Sequence, residues 1–232
     1  MSCQFLFQRE LDTLAASPPP CQGPVSMLQK DMTRFSPAFL KSRLSLNPPA
    51  PEPPAGLQPA GVLAPIFFTD DEAHLLFTKR TLTVRDHRGQ ISFPGGVKSP
   101  GDPHLLATAL RETREEIGLD PEKVKVLGSL TPLATVTGYW ITAFVGLIPY
   151  PYEFHLNSRE VKRLILLPLE GFCEPRRWSS GDYTYKDKTI PVCYWKYRRT
   201  VIWGATARLL LDFLHRLGEN PFPGDEDAPC VD

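Results

Sequence analysis

The chain lacks the features that would place it in a membrane or tie it to a polyanion. No apolar run approaches the roughly 18 residues that a membrane-spanning helix needs. Neither sign of charge dominates: Lys plus Arg number 26, and so do Asp plus Glu. No global field therefore draws the chain to nucleic acid or an anionic surface, and no broad basic–aromatic array supports a nucleic-acid partner. Cysteines are few and scattered, at Cys3, Cys21, Cys173, Cys193 and Cys230, without a CxxC pair. That argues against a thiolate zinc site, and the odd count argues against a disulfide framework. Glu10 and Asp12 stand where a secretory leader would be basic and then apolar. The expectation is a soluble, cytoplasmic protein of a reducing compartment, with no membrane partner and no internal repeat.

Proline is abundant, with 25 in 232 residues. It is concentrated between Pro48 and Pro59, where it suits a stiff connector and forbids a continuous helix or central strand. The main boundary is placed near Gln58. Residues 1–57 form an N-terminal helical, proline-rich arm, 58–218 the main domain and 219–232 a flexible tail. The length suits one well-buried domain. The sequence favours neither a monomer nor a homodimer.

Residues 61–68 and 74–80 predict two strands joined through 69–72, and further strands are expected over 124–130, 140–148 and 161–167. Residues 183–194 resemble a hairpin. A helix is expected over 103–117, with Asp102 as N-cap, Pro103 at N1 and Gly118 as its left-handed end. Leu106, Leu110, Thr113 and Ile117 are its expected inward face. A second helix over 203–217 would bury Ala207, Leu210, Leu211 and Leu214, with Gly218 as its cap. Strands alternating around two helices give a layered α/β fold.

Between these elements lies the chemistry. Glu112 and Glu116 are four residues apart on the first helix, with Glu115 on an adjoining face. Like charges at this spacing weaken an isolated helix by roughly 0.2–0.5 kcal/mol. A hard divalent cation reverses that sign, since it prefers carboxylate oxygens and accepts substrate phosphates in its remaining positions. The plain alternative is a solvated helix neutralised by Arg111 and Arg114. Ahead of the helix, Pro94-Gly95-Gly96 allows close backbone approach, amid Arg80, Arg85, His87, Arg88 and Lys98.

Together these residues resemble the signature of the Nudix hydrolases: Gly96, Asp102, Arg111, Glu112, Glu115, Glu116 and Gly118. Asp102 replaces the usual glutamate, one extra residue precedes Arg111, and Thr113 fills a position commonly aliphatic. These departures are similar to those of the coenzyme A pyrophosphatase branch. So are the stretches 76–80 and 87–96, Glu160-Val161, Pro168-Leu169, Ile202-Trp203-Gly204 and Thr206-Ala207. The resemblance covers roughly 58–217 and implies a Nudix-type α/β/α sandwich with a mixed β-sheet.

It also implies hydrolysis of the pyrophosphate bond of coenzyme A or its derivatives, to 3',5'-adenosine bisphosphate and 4'-phosphopantetheine. Other members of the family act on derivatives such as NADH or ADP-ribose, and a non-catalytic nucleotide-binding domain is a further alternative. Mg2+ or Mn2+ would be held by Glu112, Glu116 and Glu115, with the Gly96 carbonyl as an added donor. Glu112 and Glu160 compete as general base, and Arg111 would orient the carboxylates through a forked ion pair. Arg80, His87, Arg88, Gly95 and Gly96 are the substrate-binding candidates, although His87 has a second reading as organiser of the glycine loop. Phe93 and Trp203 are expected in the core, while Tyr139 or Trp140 would line the cleft.

Overall fold

The computed structural model describes residues 34–44, 52–81 and 89–222. Most of the arm, Arg85, His87, Arg88 and most of the tail lie outside those residues. Within the arm, α1 (Pro37–Arg43) starts at Ser36, whose hydroxyl accepts from the Phe39 N–H at 3.2 Å. Its Leu40, together with Leu44 and Phe35, is buried in the main core.

β1 (Gln58–Thr69) and β2 (Glu72–Arg80) form a hairpin. Asp70 and Asp71 turn it, with φ of 48° and 61°. Two left-handed residues in a two-residue loop match the natural twist of the strands, and aspartate tolerates that region better than most side chains. β3 (Ile91–Ser92) pairs with β2, and β4 (Gly95–Val97) with β1. Helix α2 (Leu105–Ile117) then crosses the sheet. β5 (Lys125–Ser129) and β6 (Leu133–Ala134) both run antiparallel to β7 (Tyr139–Leu147), which lies parallel to β1. β8 (Val161–Pro168) closes the far edge against β2. The sheet is therefore mixed.

Alternation along these strands feeds two layers. Leu63, Phe67, Leu76, Leu164 and Leu166 pack with Ala109 and Ile117 of α2. Ala64, Ile66, Leu75, Phe77, Ile165 and Leu167 join the opposite core. Burial on both faces explains why the strands read as almost unbroken apolar runs. On that opposite side lie β9 (Trp178–Tyr185), β10 (Lys188–Tyr197), β11 (Thr200–Trp203) and α3 (Gly204–Arg216). The small sheet contributes Trp178, Cys193, Trp195 and Ile202 to the core, and α3 buries Ala207, Leu210, Leu211 and Leu214. The architecture is a Nudix-type α/β/α sandwich.

Three local expectations are corrected. β11 ends at Trp203, so the last helix begins at Gly204, whose φ of +60° makes the strand-to-helix corner. α2 begins at Leu105, because His104 is its N-cap and its Nδ1 accepts from the Ala107 N–H at 3.1 Å. The inward face of α2 is Thr108, Ala109, Thr113, Glu116 and Ile117, while Leu106 and Leu110 are only half-buried.

Close seating explains the rotated face of α2. A Cβ on Gly61 would lie 2.2 Å from the Leu105 carbonyl oxygen, so only glycine lets α2 rest on β1 at this depth. Small residues therefore occupy the centre of the contact and the leucines flank it. Among the described residues no helix is long and apolar enough to cross a membrane. Gly61→Ala should push helix from strand and cost about 1–3 kcal/mol, read as a lower Tm with the far-ultraviolet spectrum retained; an unchanged Tm would contradict this packing.

Candidate active site

The site is built on α2 and the turn ahead of it, and an ion-pair network fixes the two together. Arg111 forks onto Asp102, with Nε to Oδ1 and Nη2 to Oδ2 both at 2.9 Å. Asp102 Oδ2 also accepts from the Ser99 N–H and the Thr108 hydroxyl, each at 2.9 Å. These bonds, the Arg111 fork foremost, hold the Asp102 carboxyl well below the usual carboxylate range. Asp102 is thus the anchor of Arg111 rather than the cap of α2. The fork of Arg111 goes to Asp102, and only Nη1 reaches the helix acids, at 2.9 Å from Glu112 Oε1 and 3.2 Å from Glu115 Oε1.

Glu112 and Glu116 differ in surroundings although they share a face. Glu116 is 3% exposed. Its Oε2 is buried without a hydrogen-bond partner, and its nearest cation, Arg80 Nη1, stands 3.5 Å from Oε1. Burial pushes its pKa up to about 8, against the opposing pull of Arg80 and of a hydrogen bond from the Gly95 N–H. Glu112 is half-buried and also raised, first by burial. Glycine at 96 makes room for Glu112, since a Cβ there would stand 2.5 Å from Glu112 Cδ.

Glu160 sits just ahead of β8. The Asn157 side-chain amide donates to its Oε1 at 3.0 Å, and the Thr81 N–H donates to its carbonyl at 2.8 Å. Its charge is felt by both Glu112 and Glu116, so three carboxylates share one electrostatic field. Glu115 is turned away, with its side chain 57% exposed beside Arg111.

Among the described residues no three His, Cys, Asp or Glu side chains already enclose a metal position. The chemistry of the donors nevertheless fits a hard divalent cation: carboxylate oxygens, that of Glu116 buried and unpartnered and those of Glu112 against the side-chain-free Gly96. A polar group buried without a partner is costly, and a cation removes that cost.

The remaining candidates divide. Arg80 reaches Glu116, whereas Lys98 is exposed, its backbone N–H donating to the Pro59 carbonyl at 2.9 Å. Phe93 is core, stacked on Phe77 at 4.7 Å. Trp203, expected in the core, instead lies half-buried against Tyr183 and Tyr194 on the small sheet. Tyr139 and Trp140 are half-buried at the start of β7. Sequence reasoning passed over Ser99, Thr108 and Asn157; Thr108, polar on the inward side of a helix, is the one whose position carried a signal.

A family model described as the NUDIX domain matches residues 58–185. The chain belongs to the Nudix family. It is similar to proteins named "Uncharacterized Nudix hydrolase NudL". The one from Photorhabdus laumondii is 37% identical over 168 residues, 72% of this chain and 89% of that protein. The one from Cronobacter sakazakii is 34% identical over 183 residues, 79% and 95% of the two chains. A solved C. elegans Ap4A hydrolase binary complex overlaps 49% of this chain and 82% of its own, at 18% identity and a TM-score of 0.42. The Nudix family generally requires a divalent metal.

The raised pKa of Glu116 has a consequence for stability. The unfolded side chain ionises near 4.5 and the folded one near 8. Between those values the unfolded chain has released a proton that the folded chain keeps, so stability falls as pH rises through that window. Glu116→Gln should therefore stabilise the metal-free Nudix domain at pH 8 by on the order of 1–3 kcal/mol, with the gain shrinking toward pH 4.5. Thermal unfolding across that range checks it, and a pH-independent difference would refute it.

Proposed function

We propose that this Nudix domain hydrolyses the diphosphate bond of a nucleoside diphosphate derivative, with Glu112 and Glu116 holding Mg2+ or Mn2+. The observation that carries this reading is the unpartnered oxygen of the buried Glu116, four residues from Glu112, whose own carboxylate lies against Gly96. The bound cation would neutralise charge on the diphosphate and activate water. Coordination would go to Glu112 and Glu116, with the Gly96 carbonyl as a further donor.

The chain's own residues supply the order. The Arg111–Asp102 fork locks the loop to the helix, and Nη1 steadies Glu112 and Glu115. Glu115, turned outward, contributes through that arginine. Glu160 is the better proton acceptor of the two candidates. Glu112 is already engaged by Arg111, and a carboxylate that also binds metal is a weakened base. Glu160 is held by Asn157 through one oxygen, which leaves the other for a water proton. Gly95 and Gly96 would let the diphosphate approach the backbone, and Arg80 would meet its charge.

Within this class, coenzyme A is the substrate that the branch-like motif over 87–96 supports. NADH and ADP-ribose stand beside it, because the signature over 96–118 serves all three. A panel of these substrates, with Mg2+ and Mn2+ and product identification, tests the reading. Metal-dependent cleavage of at least one into two phosphate monoesters is expected. Glu160→Gln should lower kcat by about 10²–10⁴-fold with an unchanged Tm. Nucleotide binding without any cleavage would make the domain a binding module, and full activity in Glu160→Gln would remove Glu160 as base.

A further inference from the structure

The far end of α2 is closed by a strap of chain. The last carbonyls of a helix have no partner within it and must find one elsewhere. Here residues 152–157 take three in succession, those of Glu116, Ile117 and Gly118. The Asn157 N–H donates to the Glu116 carbonyl at 2.9 Å, and the His155 N–H to that of Ile117 at 3.0 Å. The Tyr152 hydroxyl donates to the Gly118 carbonyl at 3.2 Å and accepts from the Asp120 N–H at 3.1 Å. Gly118 permits the approach: it turns the chain at φ +72°, and a Cβ there would lie 2.9 Å from His155 Cβ and 3.0 Å from its nitrogen. Phe154, buried with Ile117 and Leu119, fixes the strap to the core on the α2 side.

The same strap leads into Glu160. The Asn157 carbonyl accepts from the Glu160 N–H at 3.0 Å and from the Val161 N–H at 2.8 Å, so 157–160 makes a tight turn into β8. Asparagine closes such turns by bonding the backbone two residues on, and here its Oδ1 accepts from the Arg159 N–H at 3.2 Å. That leaves the amide nitrogen for Glu160 Oε1, at 3.0 Å. From the other side, the Thr81 N–H donates to the Glu160 carbonyl at 2.8 Å and the Thr81 hydroxyl to the Arg159 carbonyl at 2.9 Å. The backbone at Glu160 is thus pinned between α2 and the end of β2, while its carboxylate is oriented by Asn157.

We propose that Asn157 is a positioning residue, the joint through which α2 sets the place of the base. Its N–H is tied to the backbone of Glu116 and its side-chain amide to the carboxylate of Glu160. The acid that holds the cation and the acid that takes the proton therefore keep a fixed spacing. A glutamate side chain left free samples many rotamers. A hydrogen bond from a residue that is itself anchored removes that freedom before substrate arrives. Asparagine alone among the short polar side chains offers the turn an acceptor and Glu160 an amide donor at once. This rests on the reading of Glu160 as proton acceptor given above and names what holds it in register.

Kinetics of single and double variants, joined to a crystal structure, test it. Asn157→Ala should lower kcat about 10–100-fold with KM within about twofold of wild type, since the base is misplaced while substrate contacts stay. Asn157→Asp keeps the acceptor for the Arg159 N–H and loses the donor to Glu160, so it should show the same loss with the turn retained. In a Glu160→Gln background, Asn157→Ala should cost nothing further, because a residue that acts through Glu160 has nothing left to position. Crystals of metal-free Asn157→Ala should show the Glu160 carboxylate swung from its place, with Glu112 and Glu116 unmoved. That last readout requires no turnover. Wild-type kcat in Asn157→Asp, an additive loss in the double variant, or an unmoved Glu160 would overturn the proposal. A displaced Glu160 beside full activity of Glu160→Gln would contradict the base assignment alone.

Discussion

The carboxylate of Glu116 is buried beneath a sheet, and most of the site is arranged around what that burial requires. A nearly inaccessible acid with one oxygen unpartnered is costly in a folded protein. One neighbour offsets part of that cost: Arg80 lies 3.5 Å from one oxygen. It leaves the other oxygen open. Glycine at 61 lets the helix that carries Glu116 sit against β1, and glycine at 96 makes room for the Glu112 carboxylate. A larger residue at 96 would displace the Glu112 carboxylate, whereas one at 61 or 95 would meet backbone and push elements of the fold apart.

Rigidity and readiness are assigned to different arginines. Arg111 spends its fork on Asp102, which Ser99 and Thr108 also bond, so loop and helix behave as one unit. Arg80 leaves its pair with Glu116 unfinished. The wider fold supplies the frame: β1 and β2 carry Gly61 and Arg80, and the turn before β8 brings Glu160 to the same field.

The strands were legible because burial on both faces makes them long apolar runs, as in 61–68 and 161–167, and because Asp70-Asp71 marks their turn. The last helix was legible from Ala207, Leu210, Leu211 and Leu214, although its first turn was misplaced: Trp203 belongs to a strand too short to show a period. Asp102 was misread because Asp-Pro ahead of a helix is the pattern of a cap and N1, and the competing cap, His104, is rarely used. The inward face of α2 was misread for a similar reason. Hydrophobic periodicity picks Leu106 and Leu110, whereas close seating on Gly61 selects small side chains and brings Glu116 inside. The signature acids could be named from their spacing; the open geometry at Arg80 depends on a strand register that spacing does not encode.

The account turns on Glu116 Oε2 as a cation position, and crystals grown with Mn2+ test it directly. An anomalous difference map should show a peak bonded to Glu116 Oε2 at about 2.0–2.2 Å, with Glu112 beside it, and no peak at that place in Glu116→Gln. A peak on the outward Glu115 alone, or persistence of the same peak in the variant, would contradict it.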